Sequence, residues 1–412
     1  MRRVAVTGIG LISPLGNSCA EALANATAGR SAVRRLDTPW ADRLTAPIAA
    51  CASLQGEEHF PPPRLRMLDR VSQLAVVATQ QALGDARLEP AAADRERIGV
   101  FIGTGMGGTL TTDEGYVSLY RDGCERVKPF SILMGMTNAP AAWIGIEYDL
   151  SGPNLTYSTA CSSAAVSIGE AWQRLRRGEI DIAISGGAEA PLSFGALKAW
   201  EALRTLASED PSDPSTSCKP FAANRCGLVL GEGAAILILE DWERALARGA
   251  AIHGEILGYG LSTDASHITR PTVGGQAAAM RAALRSGDIA ADDIDSINAH
   301  GTGTQANDSV ETAAIKEVFG ERAYRIPVSA TKAIHGHLLG ASGALELALA
   351  MLALRQDVLL PTMHLQVPAA DCDLDYVPNQ ARTGCGARTV MSSSFAFGGT
   401  NAVLVASGGS GL

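Results

Sequence analysis

Strand-like and helix-like segments alternate along this chain in two successive rounds, and that order leaves few folds open to it. Residues 4–12 form an apolar run entering a glycine turn, and over 67–84 Leu68, Val71, Leu74 and Val77 recur at helical spacing. Residues 97–103 (RIGVFIG) return to strand character and end in the glycine-rich turn 103–108. A short strand is expected over 155–159. A helix follows over 162–177, with Ala165, Ile168, Trp172 and Leu175 on one face and Gly178 closing it. Ile180, Ile182 and Ile184 then alternate along another strand. Strand–helix–strand order of this kind favours parallel sheets covered by helices.

The pattern restarts near residue 251. GEILGYG suits a strand, 276–285 a helix, 294–299 a strand running into His300, and 326–329 a strand leading to the apolar helix 344–354. VMSSSFAFGGTNAVLVAS closes the chain as two apolar strands about a glycine turn, a hairpin. An internally duplicated α/β fold is therefore expected, with an N-terminal half over 1–250 and a C-terminal half over 251–412, although no letter-by-letter repeat is visible. The stretch 204–221, polar and rich in Ser, Asp and Pro, is expected as a surface excursion within the first half.

Composition narrows the function classes. Hydrophobic residues make up 46% and charged residues 19% of 412 positions, enough for a large buried core. A net charge of −9 argues against nucleic-acid binding by bulk electrostatics. The eight cysteines include no C-x-x-C pair and none with zinc spacing to histidine, so reduced thiols and a cytoplasmic location are expected. MRRVAVTGIGLISPLG is interrupted by Gly8, Gly10, Ser13 and Pro14 and is read as strand and turn rather than a leader. The apolar helix 344–354 is too short to span a bilayer, so no membrane association is expected.

Three segments carry chemistry. In YSTACSSAAVSIG, Cys161 lies between a strand and an amphipathic helix, where free amides and the helix dipole would favour a thiolate and lower the thiol pKa from about 8.5. A small buried hydrophobe is the competing reading. NAHGTGTQ places His300 directly after a strand, and SATKAIHGHLLGASG places Lys332, His335 and His337 in a glycine-bounded loop. Taken singly, each histidine also fits a hydrogen-bonded structural role, and His335 keeps that reading. Cys161, His300 and His337 all sit at strand exits, where α/β sheets place ligands. Their spatial meeting does not follow from that alone.

Together with SGGAEA, VLGEGA, CDLDYVP and the flanking VAVTGIGLISPLG and SFAFGGTNAVLV, these segments resemble, in order and nearly end to end, the β-ketoacyl-acyl-carrier-protein synthases of the thiolase superfamily. The likeness is to the elongating, KAS II-like enzymes of type II fatty-acid synthesis and to the ketosynthases of type II polyketide systems. It implies the thiolase-like five-layered α-β-α-β-α fold built from two duplicated halves, and a dimer whose interface includes the strand before Cys161. It implies Cys161 as acyl-accepting nucleophile, the amides of Cys161 and Phe397 as oxyanion hole, and His300 and His337 as donors to the malonyl thioester carbonyl during decarboxylation. Lys332, held by Glu346, would act electrostatically, with a plain surface salt bridge as the alternative. Thr302 and Thr304 would hold the pantetheine arm, although turn capping explains them equally well. Phe395 and Phe397 would gate the site, core packing being the alternative, more so for Phe395. Met106 would line the far end of the acyl pocket across the dimer.

The implied partner is an acyl carrier protein whose phosphopantetheine brings the substrates, with no metal and no other cofactor. Arg64, Arg66, Arg70 and Arg204, with Lys128 a weaker candidate, could receive this acidic partner, a solvated face being the competing reading. The chain would pair as a homodimer, or as a heterodimer with a chain-length-factor-like homologue. The second arrangement belongs to a polyketide or polyene ketosynthase, and Asn307-Asp308 and FSILMGMTNAPAAWIG depart from the fatty-acid pattern in that direction. A thiolase fits less well because Cys385 lies outside SFAFGGTN, and a non-catalytic chain-length factor because such subunits usually lack the nucleophile.

Overall fold

The computed structural model describes residues 1–90 and 95–409. Ten strands form the central sheet: β1 (Val4–Ile12), β2 (Ile98–Gly103), β3 (Asn154–Tyr157), β4 (Ile182–Glu189), β5 (Gly233–Asp241), β6 (Gly254–Thr263), β7 (Ser296–Asn298), β8 (Val328–Ser329), β9 (Thr389–Phe395) and β10 (Thr400–Gly408). Their spatial order is β8-β7-β9-β10-β6-β1-β5-β4-β2-β3. Outward from the β1–β6 seam, the first block runs 1-5-4-2-3 and the second 6-10-9-7-8, the same order displaced by five. Directions match too: the inner two pairings of each block are antiparallel and the outer two parallel. Within the sheet, the described strands of the two blocks join through the short antiparallel pairing of Ala5 and Val6 with Glu255 and Gly254.

Helices complete five layers. α1 (Arg70–Asp85) covers the outer face of the first block, and α5 (Val273–Gly287) with α6 (Gln305–Phe319) covers the outer face of the second. Between the blocks lie α3 (Ser163–Arg176) and α7 (Ser342–Arg355), whose Ile168, Trp172, Leu345 and Leu349 share one buried core. α2 (Thr109–Tyr120) and α4 (Phe194–Leu203) flank the first block's strand exits. Side-chain caps fix the helix starts: Asp69 accepts from Val71 N at 3.0 Å, and Thr304 from Asn307 N at 3.3 Å.

One close approach recurs in both halves. A Cβ added at Gly10 of β1 would meet the carbonyl oxygen of Ala78 in α1 at 2.1 Å, and one at Gly260 of β6 that of Ala279 in α5 at 2.1 Å. Helix and strand therefore pack closer than any other residue allows.

The stretch 204–221 departs from expectation. Asp210–Pro214 is polar surface, but Cys218 and Phe221 are buried, and Phe221 stacks on Tyr376 with ring centroids 4.0 Å apart. The Phe221 amide donates to Asp308 at 2.8 Å, tying this segment beneath the His300 turn. Among the described residues, no helix is long and apolar enough to cross a membrane.

Candidate active site

Each chemical group stands where a strand leaves the sheet. Cys161 lies in the single turn Ala160–Ser162 between β3 and α3, and the residue before it, Ala160, adopts a left-handed φ of 51°. His300 follows β7. His337 follows β8 and the short helix Lys332–His335. The sulfur and one nitrogen of each ring lie within 4.8 Å of one another, and the residues are 4%, 2% and 1% exposed. The two rings meet edge to face at 5.3 Å and 81°. They close one end of a cavity of about 320 Å³ that Thr302, Thr304, Phe395 and Phe397 also line.

Hydrogen bonds define the ring tautomers. His337 Nδ1 lies 2.8 Å from Ser342 Oγ and also accepts the Leu339 N–H at 3.2 Å; an amide can only donate, so the ring proton sits on Nε2. That Nε2 is buried and lacks a partner among the described residues, which leaves it free for a ligand. Lys332 Nζ lies 3.4 Å from His300 Nδ1 and donates to the His300 carbonyl oxygen at 2.6 Å. An ammonium has no lone pair to offer, so His300 also carries its proton on Nε2. Burial first, then the Lys332 charge, holds both imidazoles well below their ordinary pKa, and both are neutral at pH 7. Two neutral Nε2–H donors thus face one spot. With both Nδ1 lone pairs turned inward, the cluster donates hydrogen bonds rather than ligating a cation.

The Cys161 thiol runs against its expected direction. Burial pushes it up to about 12, against the smaller downward pulls of Lys332 and of the amides of Phe397 and Cys161. The helix N-terminus does not outweigh desolvation in a sealed turn. Lys332 and Glu346 form an ion pair at 2.5 Å with both side chains 1% exposed, so the surface salt-bridge reading fails.

The chain matches the description "Beta-ketoacyl synthase, N-terminal domain" over residues 1–245 and its C-terminal counterpart over 253–366. It belongs to the beta-ketoacyl synthase family. It is similar to Nodulation protein E of Rhizobium meliloti (41% identity over 98% of each chain) and to 3-oxoacyl-(acyl-carrier-protein) synthase 2 of Staphylococcus aureus (40% identity over 98% of each). Among solved structures it resembles the ishigamide ketosynthase/chain length factor, at a TM-score of 0.91 and 34% identity over 99% of this chain and 100% of that one.

In this beta-ketoacyl synthase the remaining candidates distribute unevenly. His335 uses both ring nitrogens internally, 2.7 Å from Gly336 O and 2.9 Å from Thr331 Oγ1, and burial pushes it down to about 3. Thr302 and Thr304 line the cavity and bond each other at 2.8 Å, and Thr304 also caps α6. Phe395 is buried edge-on to His300 at 6.0 Å, whereas Phe397 is half-buried with its ring 6.1 Å from Trp200. Met106 does not line the cavity but sits in the apolar cluster behind Cys161 with Leu197 and Trp200.

The arginines need one correction. Arg70 is no docking cation: its guanidinium turns inward to Glu232 at 2.8 Å and to the carbonyls of Leu54 and Ala52 at 2.7 and 2.9 Å. Arg64 pairs with Glu147 and lies over the Trp143 ring. Lys128 pairs with Glu114 at 3.1 Å. Arg66 and Arg204 are exposed, Arg204 between the cavity-lining Leu203 and Thr205.

Sequence reasoning missed the buried carboxylates. Glu311 accepts from the amides of His300 and Gly301 at 2.6 and 2.9 Å, and burial pushes its own pKa up to about 7. Asp308 accepts from Thr302 N at 3.1 Å. Glu189 binds amides of two separate turns. Acids three apart on a helix read as a solvated face, but their place directly after HGTGT was a signal: a turn rich in free amides needs acceptors.

Proposed function

We propose that this ketosynthase takes an acyl group from a carrier-protein thioester onto Cys161 and condenses it with a malonyl carrier, lengthening the chain by two carbons. The observation that carries the reading is the convergence of one thiol and two neutral Nε2–H donors on a single cavity. In the first half-reaction the Cys161 sulfur attacks the thioester carbon, and its proton ends on the departing pantetheine thiol. The oxyanion of that step faces the amides of Cys161 and Phe397. In the second, the malonyl thioester loses CO₂, and the electron pair of the broken bond becomes an enolate whose oxygen accepts from His300 and His337. Its carbon attacks the Cys161 thioester. The sulfur leaves and regains a proton from solvent, and no metal or further cofactor takes part. Burial first, and then the charge of Lys332 held by Glu346, keeps both imidazoles neutral throughout.

Thr302 and Thr304 suit the pantetheine arm, and Phe397 at its Gly398-Gly399 turn suits a gate, while Phe395 is core-like. The acidic carrier docks by the exposed Arg204 beside the cavity mouth and by Arg66. The reaction takes place in the cytoplasm. A dimer is supported by β3, whose Asn154 and Leu155 are exposed on an unpaired sheet edge, and by the exposed apolar Phe130, Ile132 and Leu133.

Likeness to the ishigamide ketosynthase/chain length factor, with Asn307-Asp308 after the His300 turn, favours a second reading. In it the enzyme extends polyketide or polyene chains beside a non-identical homologue. Presenting acyl carriers of varied length and a malonyl carrier to the protein alone separates the two. Rapid elongation of saturated chains supports the first reading, and inactivity without an added homologue supports the second. Within either, Cys161→Ala abolishes acyl-enzyme formation detected by intact-protein mass spectrometry, whereas His337→Ala spares acylation and slows malonyl decarboxylation about 100-fold or more. Acylation of the alanine variant at residue 161 would remove the nucleophile from its role.

A further inference from the structure

Glu189 ends β4 with no exposure to solvent, and no cation pairs with it among the described ion pairs. Its carboxylate accepts instead from the amides of Gly105 (2.6 Å), Met106 (3.0 Å) and Gly340 (2.9 Å) and from the Thr104 hydroxyl (3.1 Å). Three of these donors belong to the turn after β2. The fourth, Gly340, lies in the turn Leu339–Ala341 that follows His337. Leu339 there has a φ of 43°, left-handed for a side chain that disfavours it, and is 3% exposed. Both peptide units flanking it are anchored: its own N–H by His337 Nδ1, and the next N–H by Glu189. The turns are pressed together, since a Cβ on Gly340 would meet Gly105 N at 2.4 Å and Glu189 Oε2 at 2.7 Å.

We infer that Glu189 is a positioning residue for decarboxylation: by gripping Gly340 it holds Leu339 left-handed, aims the Leu339 amide at His337 Nδ1 beside the Ser342 hydroxyl that lies 2.8 Å from the same nitrogen, and thereby helps keep the His337 proton on Nε2. Helping the thiol ionise is not its task, because its charge acts to raise the Cys161 pKa. The inference rests on His337 as donor to the malonyl carbonyl, so its primary test uses no substrate.

In Glu189→Gln the amide group presents N–H to donors that need an acceptor. Long-range nitrogen–proton NMR on histidine-labelled protein reports which ring nitrogen carries the proton. The parent shows His337 in the Nε2–H form, and the variant gains a Nδ1–H population. Malonyl decarboxylation falls about tenfold or more while Cys161 acylation stays within about threefold. A His337 ring that keeps its Nε2 proton in the variant overturns the inference, whatever the rates do. A shifted tautomer with decarboxylation intact overturns the donor role of His337 instead. Should the glutamine variant not fold, Glu189→Asp, which withdraws the carboxylate by one methylene, carries the same measurements.

Discussion

Burial pushes the Cys161 thiol up to about 12. Alkylation by iodoacetamide goes through the thiolate, whose fraction grows about tenfold per pH unit below the pKa. The rate at Cys161, followed by peptide mass spectrometry, therefore climbs from pH 7 to 10 without levelling, and a plateau near pH 9 would show that burial is not what sets this thiol. The residue scale is also where sequence reading succeeded and failed most sharply. Cys161, His300 and His337 were legible as candidates because each stands at a strand exit, and the structure brings the three together. The direction of the thiol shift was not, since desolvation depends on how the folded chain packs around the sulfur, which the letters about Cys161 do not state. Arg70 failed for the same reason: a positive charge can be counted in a sequence, but its partner Glu232 cannot be found there.

At the scale of elements, most strands and helices were legible from periodicity, since the buried faces of α1 and α3 repeat at helical spacing. The duplication was only half visible. Its trace in letters is the G-x-G pair, Gly8 and Gly10 in β1 against Gly258 and Gly260 in β6, at matching places in both strands. Gly10→Ala and Gly260→Ala each force a methyl group onto a helix carbonyl and should cost about 2–3 kcal/mol in urea unfolding. Similar losses at both positions are the expected outcome, and a neutral effect at either would deny the close packing there. The stretch 204–221 was misread because its polar middle masks Phe221, whose burial is decided by Tyr376 and the Gly301 turn.

For the whole molecule, no periodicity states that a thiol from one half and two rings from the other meet within 4.8 Å. Family resemblance supplied that expectation, and the fold supplies its cause: matching blocks packed on shared central helices bring equivalent strand exits together. The proposed dimer rests on β3. Leu155→Arg, a charge on that edge strand, should convert the protein to a monomer in sedimentation without altering its circular dichroism; an unchanged oligomer would exclude β3 from the interface. The two halves also approach the seam with the same backbone gesture. Ala160 and Leu339, both left-handed, each open a single turn leading into a central helix that begins with serine. In that correspondence Cys161 is the twin of Gly340, where even a methyl group would collide with Gly105. Twofold scaffolding thus supports onefold chemistry: the twin seat is filled by backbone, and only one covalent passenger can ever be aboard.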